Sequence, residues 1–323
     1  MFKHFSIFLI PFLLLFNCSD SVNPIVPTTP ADGILFDSDR DGYSQIYKMN
    51  LDGTNQINLS ANNIGEHLLF ILPNTNRIVF KPEVENGTAI WSMNLDGSDR
   101  KYVTSYAGWD QMHVCSPSGT KIAFQRDFID IFIMNSDGSE VTKLITGGSW
   151  PGFSPDGNTI VFVGSNFDIF TVNVSGGNIR NITRGADPIF SPDGKKIAYE
   201  HLADLWIIDS DGGNKKRLTE TSPAAEVWPR FLPDSKHVLY LKFDGYPSNL
   251  YKMNIENYQA TNLTKSDSRN GLCDISEDGS TILFQTLRDG NWEIYAMDVN
   301  GNNVRNLSNN PSGDYSAKFF IEN

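Results

Sequence analysis

The side chains with chemistry to offer are few and evenly spread. His67, Trp109, Asp110, His113, Trp150, Asp187, Glu226, Trp228 and Tyr315 stand singly or in pairs along the chain, with Glu66, Arg269 and Asp314 at comparable places. Each group lies just ahead of a short apolar segment. Aromatic faces and carboxylates brought to one pocket suit a sugar, a peptide or a cation. If the chain does not bring them together, Trp150 and Trp228 are packing residues and the acids are solvated. His67 and His113 with an acid could ligate a metal. No Gly-x-Ser-x-Gly is present to place a nucleophilic serine. Asp37-Ser38-Asp39-Arg40-Asp41-Gly42 opens like a calcium loop, but Lys48 holds the position that needs a bidentate Glu, so a turn is expected there. No catalytic residue, cofactor or metal is assigned, and the nine residues named first form a candidate ligand-binding ring.

The elements that must position this ring repeat. Seven times from Ile34 onward, a strand ending in an aromatic (Ile34-Leu35-Phe36, Ile78-Val79-Phe80, Ile122-Ala123-Phe124) is followed by one centred on an aliphatic–aromatic pair (Ile46-Tyr47, Ile90-Trp91, Ile131-Phe132). A third closes on Leu59-Ser60, Val103-Thr104 or their equivalents. A period of about 41 residues in β-rich sequence signals a propeller, one four-stranded blade per repeat. Turns agree: Ser116-Pro117-Ser118-Gly119, Ser154-Pro155-Asp156-Gly157 and Ser191-Pro192-Asp193-Gly194 have type I chemistry, and Asp52-Gly53, Asp96-Gly97 and Asp137-Gly138 suit tight hairpins. Pro151, Pro188 and Pro229 recur in a fourth strand ahead of these turns. Proline is tolerated at a sheet edge, so this strand is the innermost, facing the central channel. The fold expected is all-β, a seven-bladed β-propeller of four-stranded antiparallel blades over residues 34–323. The first repeat lacks its inner strand, and Ala317–Ile321 supplies it, closing the ring.

Lys3 and His4 precede an apolar run from Phe5 to Phe16. Twelve residues make about 18 Å of helix, short of a bilayer core of about 30 Å, so residues 1–17 read as a signal peptide. Leu15-Phe16-Asn17-Cys18 resembles a bacterial lipobox, with Asn17 departing from the usual small residue, and implies lipidation of Cys18. Residues 18–33, rich in proline, form a tether. Cys115 and Cys273 fall in the third and seventh blades and are expected as buried free thiols. The net charge of −12 excludes nucleic acid as a partner.

The repeats resemble those of the TolB propeller family. Residues 191–199 (SPDGKKIAY) and 294–301 (IYAMDVNG) carry its inner-turn and second-strand patterns, and the resemblance runs from Ile34 to the C-terminus. It implies the fold and a cell-envelope setting, but TolB itself has six blades and a separate α/β domain. Two seven-bladed relatives frame the enzymatic alternative. Oligogalacturonate lyases use several histidines around a metal, whereas only His67 and His113 lie suitably here. Prolyl oligopeptidases add a hydrolase domain, which is not expected here. The expected function is a non-enzymatic binding or scaffold protein of the bacterial cell envelope, monomeric, lipid-anchored, periplasmic or at the cell surface, with an envelope protein, peptide or glycan as partner. The alternative is a carbohydrate-active lyase or hydrolase working through a metal-assisted site in the channel.

Overall fold

A computed structural model describes residues 31–83, 89–104, 109–220 and 223–322. Twenty-eight strands form seven antiparallel sheets of four, each ordered from channel to rim. The inner strands of blades 2 to 7 are Glu66–Ile71, Asp110–Cys115, Ser149–Phe153, Ala186–Phe190, Ala225–Phe231 and Asn270–Ile275. Blade 1 takes its inner strand from the chain's other end: Asp314–Phe320 pairs antiparallel with Gly33–Ser38, Gly33 opposite Phe320 and Ser38 opposite Asp314. Blade count and closure match the repeat pattern. The first strand begins one residue earlier than expected, at Gly33, where a Cβ would stand 2.5 Å from the Phe320 ring. The signal peptide, Cys18 and most of the tether lie outside the described residues.

Seven apolar clusters fill the seven junctions between neighbouring blades. Leu35, Ile46, Leu68, Ile78 and Phe80, for example, join blades 1 and 2. Burial from both sides explains strands such as Ile-Val-Phe that show no polar alternation. The recurring Leu-Ser or Leu-Thr has a separate cause. Its hydroxyl accepts the N–H of the aliphatic residue in the aliphatic–aromatic pair of the same blade: Ile46 to Ser60 (3.0 Å), Leu205 to Thr219 (2.9 Å), Leu250 to Thr264 (3.0 Å) and Ile294 to Ser308 (2.9 Å). Lys216–Arg217 is a short, exposed rim strand.

Every inner strand carries a β-bulge that the sequence pattern did not reveal. Two of its residues face the single aromatic that ends the second strand, as Met112-His113 face Phe124 and Trp228-Pro229 face Tyr240. At five bulges the first of the two is a non-glycine with positive φ: Met112 (50°), Trp150 (49°), Asp187 (46°), Trp228 (53°) and Ser316 (54°). Prolines 151, 188 and 229 each follow directly. Proline needs no N–H partner at a bulge, which accounts for its recurrence there.

Chain direction defines two faces. Inner strands start at one face and end at the Ser-Pro-Asp-Gly turns of the other, where the chain also enters at Gly33. On the first face, at five junctions the hairpin between the second and third strands of a blade clasps the next inner strand: Glu66 N–H to Ser44 O (2.7 Å), Gly148 to Ile129 (2.7 Å), Gly185 to Phe167 (2.7 Å), Glu226 to Ala203 (2.9 Å) and Asp314 to Trp292 (2.8 Å).

Candidate functional site

The candidate residues all lie on this hairpin face, but most are committed to the blades themselves. Glu66, Asp110, Glu226 and Asp314 hold the same place at the head of four inner strands, and all four are buried. Each meets a cation: Glu66 pairs with Arg100, Asp110 with Arg126 through two bonds (2.7 and 2.9 Å), Glu226 with Lys242 (3.5 Å) and Asp314 with Arg40 (3.1 Å). Those cations lie over aromatic rings of their own blades, Arg126 over Phe124 and Phe132, Arg40 over Phe36 and Tyr47. Burial raises the Asp110, Glu226 and Asp314 carboxyls, opposed by these cations. Neither a solvated acid nor a free ligand contact describes them; they are internal braces. Blades 4 and 5 have Gly148 and Gly185 there, because a side chain would meet Ile131 or the Glu200 carbonyl.

His67 and His113 lie on inner strands and are buried. His67 Nε2 is 2.9 Å from Glu83 Oε1, and its Nδ1 is 3.9 Å from Asp37 Oδ2. His113 stacks on Phe124, and burial together with the charge of Lys81 pushes it down to about 3. Tyr315 is half-buried and raised to about 12 by burial and by Asp39, which also accepts its hydrogen bond. Trp109 remains exposed, its backbone N–H held by Asp127 Oδ1 at 3.0 Å. Among the described residues no group of three or more His, Cys, Asp or Glu side chains is placed to hold a metal ion. Neither Cys115 nor Cys273 is in a disulfide; the first is buried and the second only half-buried.

What the fold does bring together is Trp150, Asp187 and Trp228, equivalent bulge residues of blades 4, 5 and 6. Both tryptophans also pack between blades, Trp228 edge-on to Phe243. Sequence reasoning missed two partners. Glu200 accepts the Trp228 N–H at 2.5 Å and shares a hydrogen bond with Asp187, while Arg230 lies near both. Two carboxyls sharing a bond must hold a proton between them. Burial first, and their mutual repulsion at Glu200, raises both against the pull of Arg230. A signal for Glu200 existed, since it follows the second-strand aromatic as Asp37 follows Phe36. An apolar arc stands above. Phe128 and Ile129, Phe167 and Leu202 sit at the hairpin tips of blades 3, 4 and 5, exposed by 56, 58, 55 and 84%. A separate cavity of about 130 Å³, lined by Ala31, Glu277, Arg305 and Phe319 among others, lies at the opposite face between blades 7 and 1.

This architecture defines a closed seven-bladed β-propeller whose hairpin face carries an apolar arc and a channel wall of mixed charge. Residues 202–323 match the TolB beta propeller domain. An uncharacterized protein of Agrobacterium fabrum is 28% identical over 130 residues, 39% of this chain; the chain thus spans under half (44%) of that relative's length. Among solved structures, an oligogalacturonate lyase in complex with manganese superposes with TM-score 0.64 at 14% identity, covering 86% of this chain and 84% of the lyase. TolB from Acinetobacter baumannii gives 0.55 at 18%, covering 85% and 78%. At these identities the likeness is one of fold.

Proposed function

We propose that the chain is a non-enzymatic binding protein of the bacterial envelope that takes a protein or peptide partner on its hairpin face. The carrying observation is the arc of Phe128, Ile129, Phe167 and Leu202. Phe128, Phe167 and Leu202 have φ of 60°, 61° and 55°, a region where bulky residues are unfavourable and Gly or Asn is usual. Such strain at exposed tips contributes no core packing, and it presents apolar side chains to whatever docks there. Export and a lipid at Cys18 fit this reading. The chain enters the propeller at the turn face, so a tether over residues 18–33 would direct the arc away from the membrane. The test is crosslinking in the native type of host, comparing the parent with a Phe128→Asn, Phe167→Asn, Leu202→Asn variant. The parent should yield a discrete crosslinked species that the variant loses; equal crosslinking would overturn the assignment of this face. Cys18→Ser should move the protein from the detergent phase to the soluble fraction, and a mature N-terminus at any other residue would refute the anchor.

The fold shared with a manganese-bound lyase keeps one rival in view, a carbohydrate-active enzyme in the channel. Stoichiometric metal in the purified protein, with loss of oligosaccharide substrate, would favour it.

A further inference from the structure

The residue after each second-strand aromatic reaches toward the next blade's inner strand. At three junctions it caps the bulge there. Asp37 Oδ1 accepts from Leu68 N (2.9 Å), Glu200 Oε1 from Trp228 N (2.5 Å), and Gln285 Oε1 from Ser316 N (3.3 Å). The same place in blade 2 holds Lys81, which can only donate. Lys81 stands opposite His67 in the ladder, its place in the repeat is that of the bulge-capping residues, and its charge acts on His113 of the blade 3 bulge. It is half-buried, and no described carboxylate forms an ion pair with it. Among the described acids, the one whose charge acts on it, Glu83, is hydrogen-bonded to His67. His113 beside it is neutral and has a buried Nε2 with no hydrogen-bond partner. A cation partly withdrawn from water without a counter-charge is unfavourable, and an anion supplied from outside would offset that cost.

We propose that the junction of blades 2 and 3 is an anion-binding site of the channel, in which Lys81 takes a carboxylate group of a small ligand. One ammonium matches one negative charge, so a monoanionic carboxylate fits better than a dianionic phosphate. Opposite it across the ring, Asp187, Glu200 and Arg230 offer a near-neutral hydrogen-bonding wall for the rest of the ligand. The site goes beyond the partner surface at the hairpin tips and does not depend on it.

Calorimetric titration of the full chain tests this with two probes, an acidic tripeptide and a uronic acid oligomer, which separate the two sources of a carboxylate. Each is paired with its amide. At least one acid should bind saturably and its amide should not. Lys81→Met, which keeps the apolar stem, should weaken binding at least about tenfold, and Lys81→Arg should retain most of it. Acylation of Lys81 in the parent should slow when the acid is present, a readout independent of the variants' folding. Absence of saturable binding by either acid up to about 10 mM, or undiminished binding by Lys81→Met, would overturn the site. Phosphate competing better than either acid would overturn its assignment to carboxylates.

Discussion

Asp37 has no water contact, and its nearest cationic partner is a histidine nitrogen 3.9 Å away. Burial, then the charges of Asp39 and Glu66, hold its carboxyl well above the usual range, while the Leu68 N–H pulls the other way. A group whose folded pKa is raised stabilises the fold fully below its unfolded value of about 3.9, and that contribution is lost as pH rises through the folded pKa. Asp37→Asn keeps an acceptor for Leu68 and cannot ionise. The variant should therefore melt above the parent by roughly 2–4 °C near pH 8, as expected for about 1 kcal/mol in a chain of this size, and approach parity as pH falls toward 4. Melting curves across that range decide it. A variant that is less stable at high pH, by a margin that widens, would mean the carboxylate is ion-paired with His67. Nothing in Asp37-Ser38-Asp39 distinguishes this buried acid from its exposed neighbour, because the difference arises from the blade packed against it. Asp110 and Glu226 misled for the same reason: their braces, Arg126 and Lys242, are 16 residues away in sequence and adjacent only across a ladder.

The hairpin tips and the bulges are the elements where local preference and observed backbone conflict. Asp127-Phe128 and Leu202-Ala203 each place two non-glycine residues at positive φ, and Asn166-Phe167 does the same. Asparagine tolerates this region far better than phenylalanine or leucine, by a margin on the order of 1 kcal/mol per site. Since the exposed side chains make little packing, the Phe128→Asn, Phe167→Asn, Leu202→Asn variant should melt at or above the parent temperature while losing its partner. A fall of several degrees in calorimetry would show instead that the tips are structural. These elements also mark how far sequence reasoning reaches. Strand order, blade number and turns were legible, because Ile-Val-Phe runs and Asp-Gly pairs encode them locally. The bulges were not, since a bulge is a mismatch between two strands and neither strand reports it alone. Pro151, Pro188 and Pro229 were the one local trace, and edge-strand and bulge prolines look alike. The channel wall was legible only in part: Trp150, Asp187 and Trp228 share a repeat position, whereas Glu200 and Lys81 gain meaning from what faces them across a junction.

At the scale of the whole molecule, stability rests on a ring in which every blade is covered by two others, and the last strand decides whether that ring exists. Asp314–Phe320 gives blade 1 its channel-facing ladder, buries Ala317 and Phe320, and supplies the carboxylate that holds Arg40. Ala317 packs with Ile34, Phe36 and Leu283 between blades 7 and 1, and Phe320 with Leu35, Ile46 and Leu68 between blades 1 and 2, so this strand joins both junctions of the closing blade. Deleting residues 314–323 strips those contacts at once. Burial of one large apolar side chain stabilises by about 1.5–3 kcal/mol, so the loss of Phe320 with its neighbours and the ladder comes to several kcal/mol, against a net stability of about 5–15 kcal/mol. It also bares the edge of Gly33–Ser38, a fully buried six-residue strand of sequence GILFDS. An unpaired apolar edge is a template for pairing with another chain. The truncated protein should thus lose its cooperative melt near the parent temperature and elute as oligomers in size-exclusion chromatography. Adding the missing segment back as a synthetic peptide should restore the monomer, because the groove it leaves is specific in register. A truncated chain that melts like the parent, or one that the peptide leaves unchanged, would refute closure by the C-terminal strand.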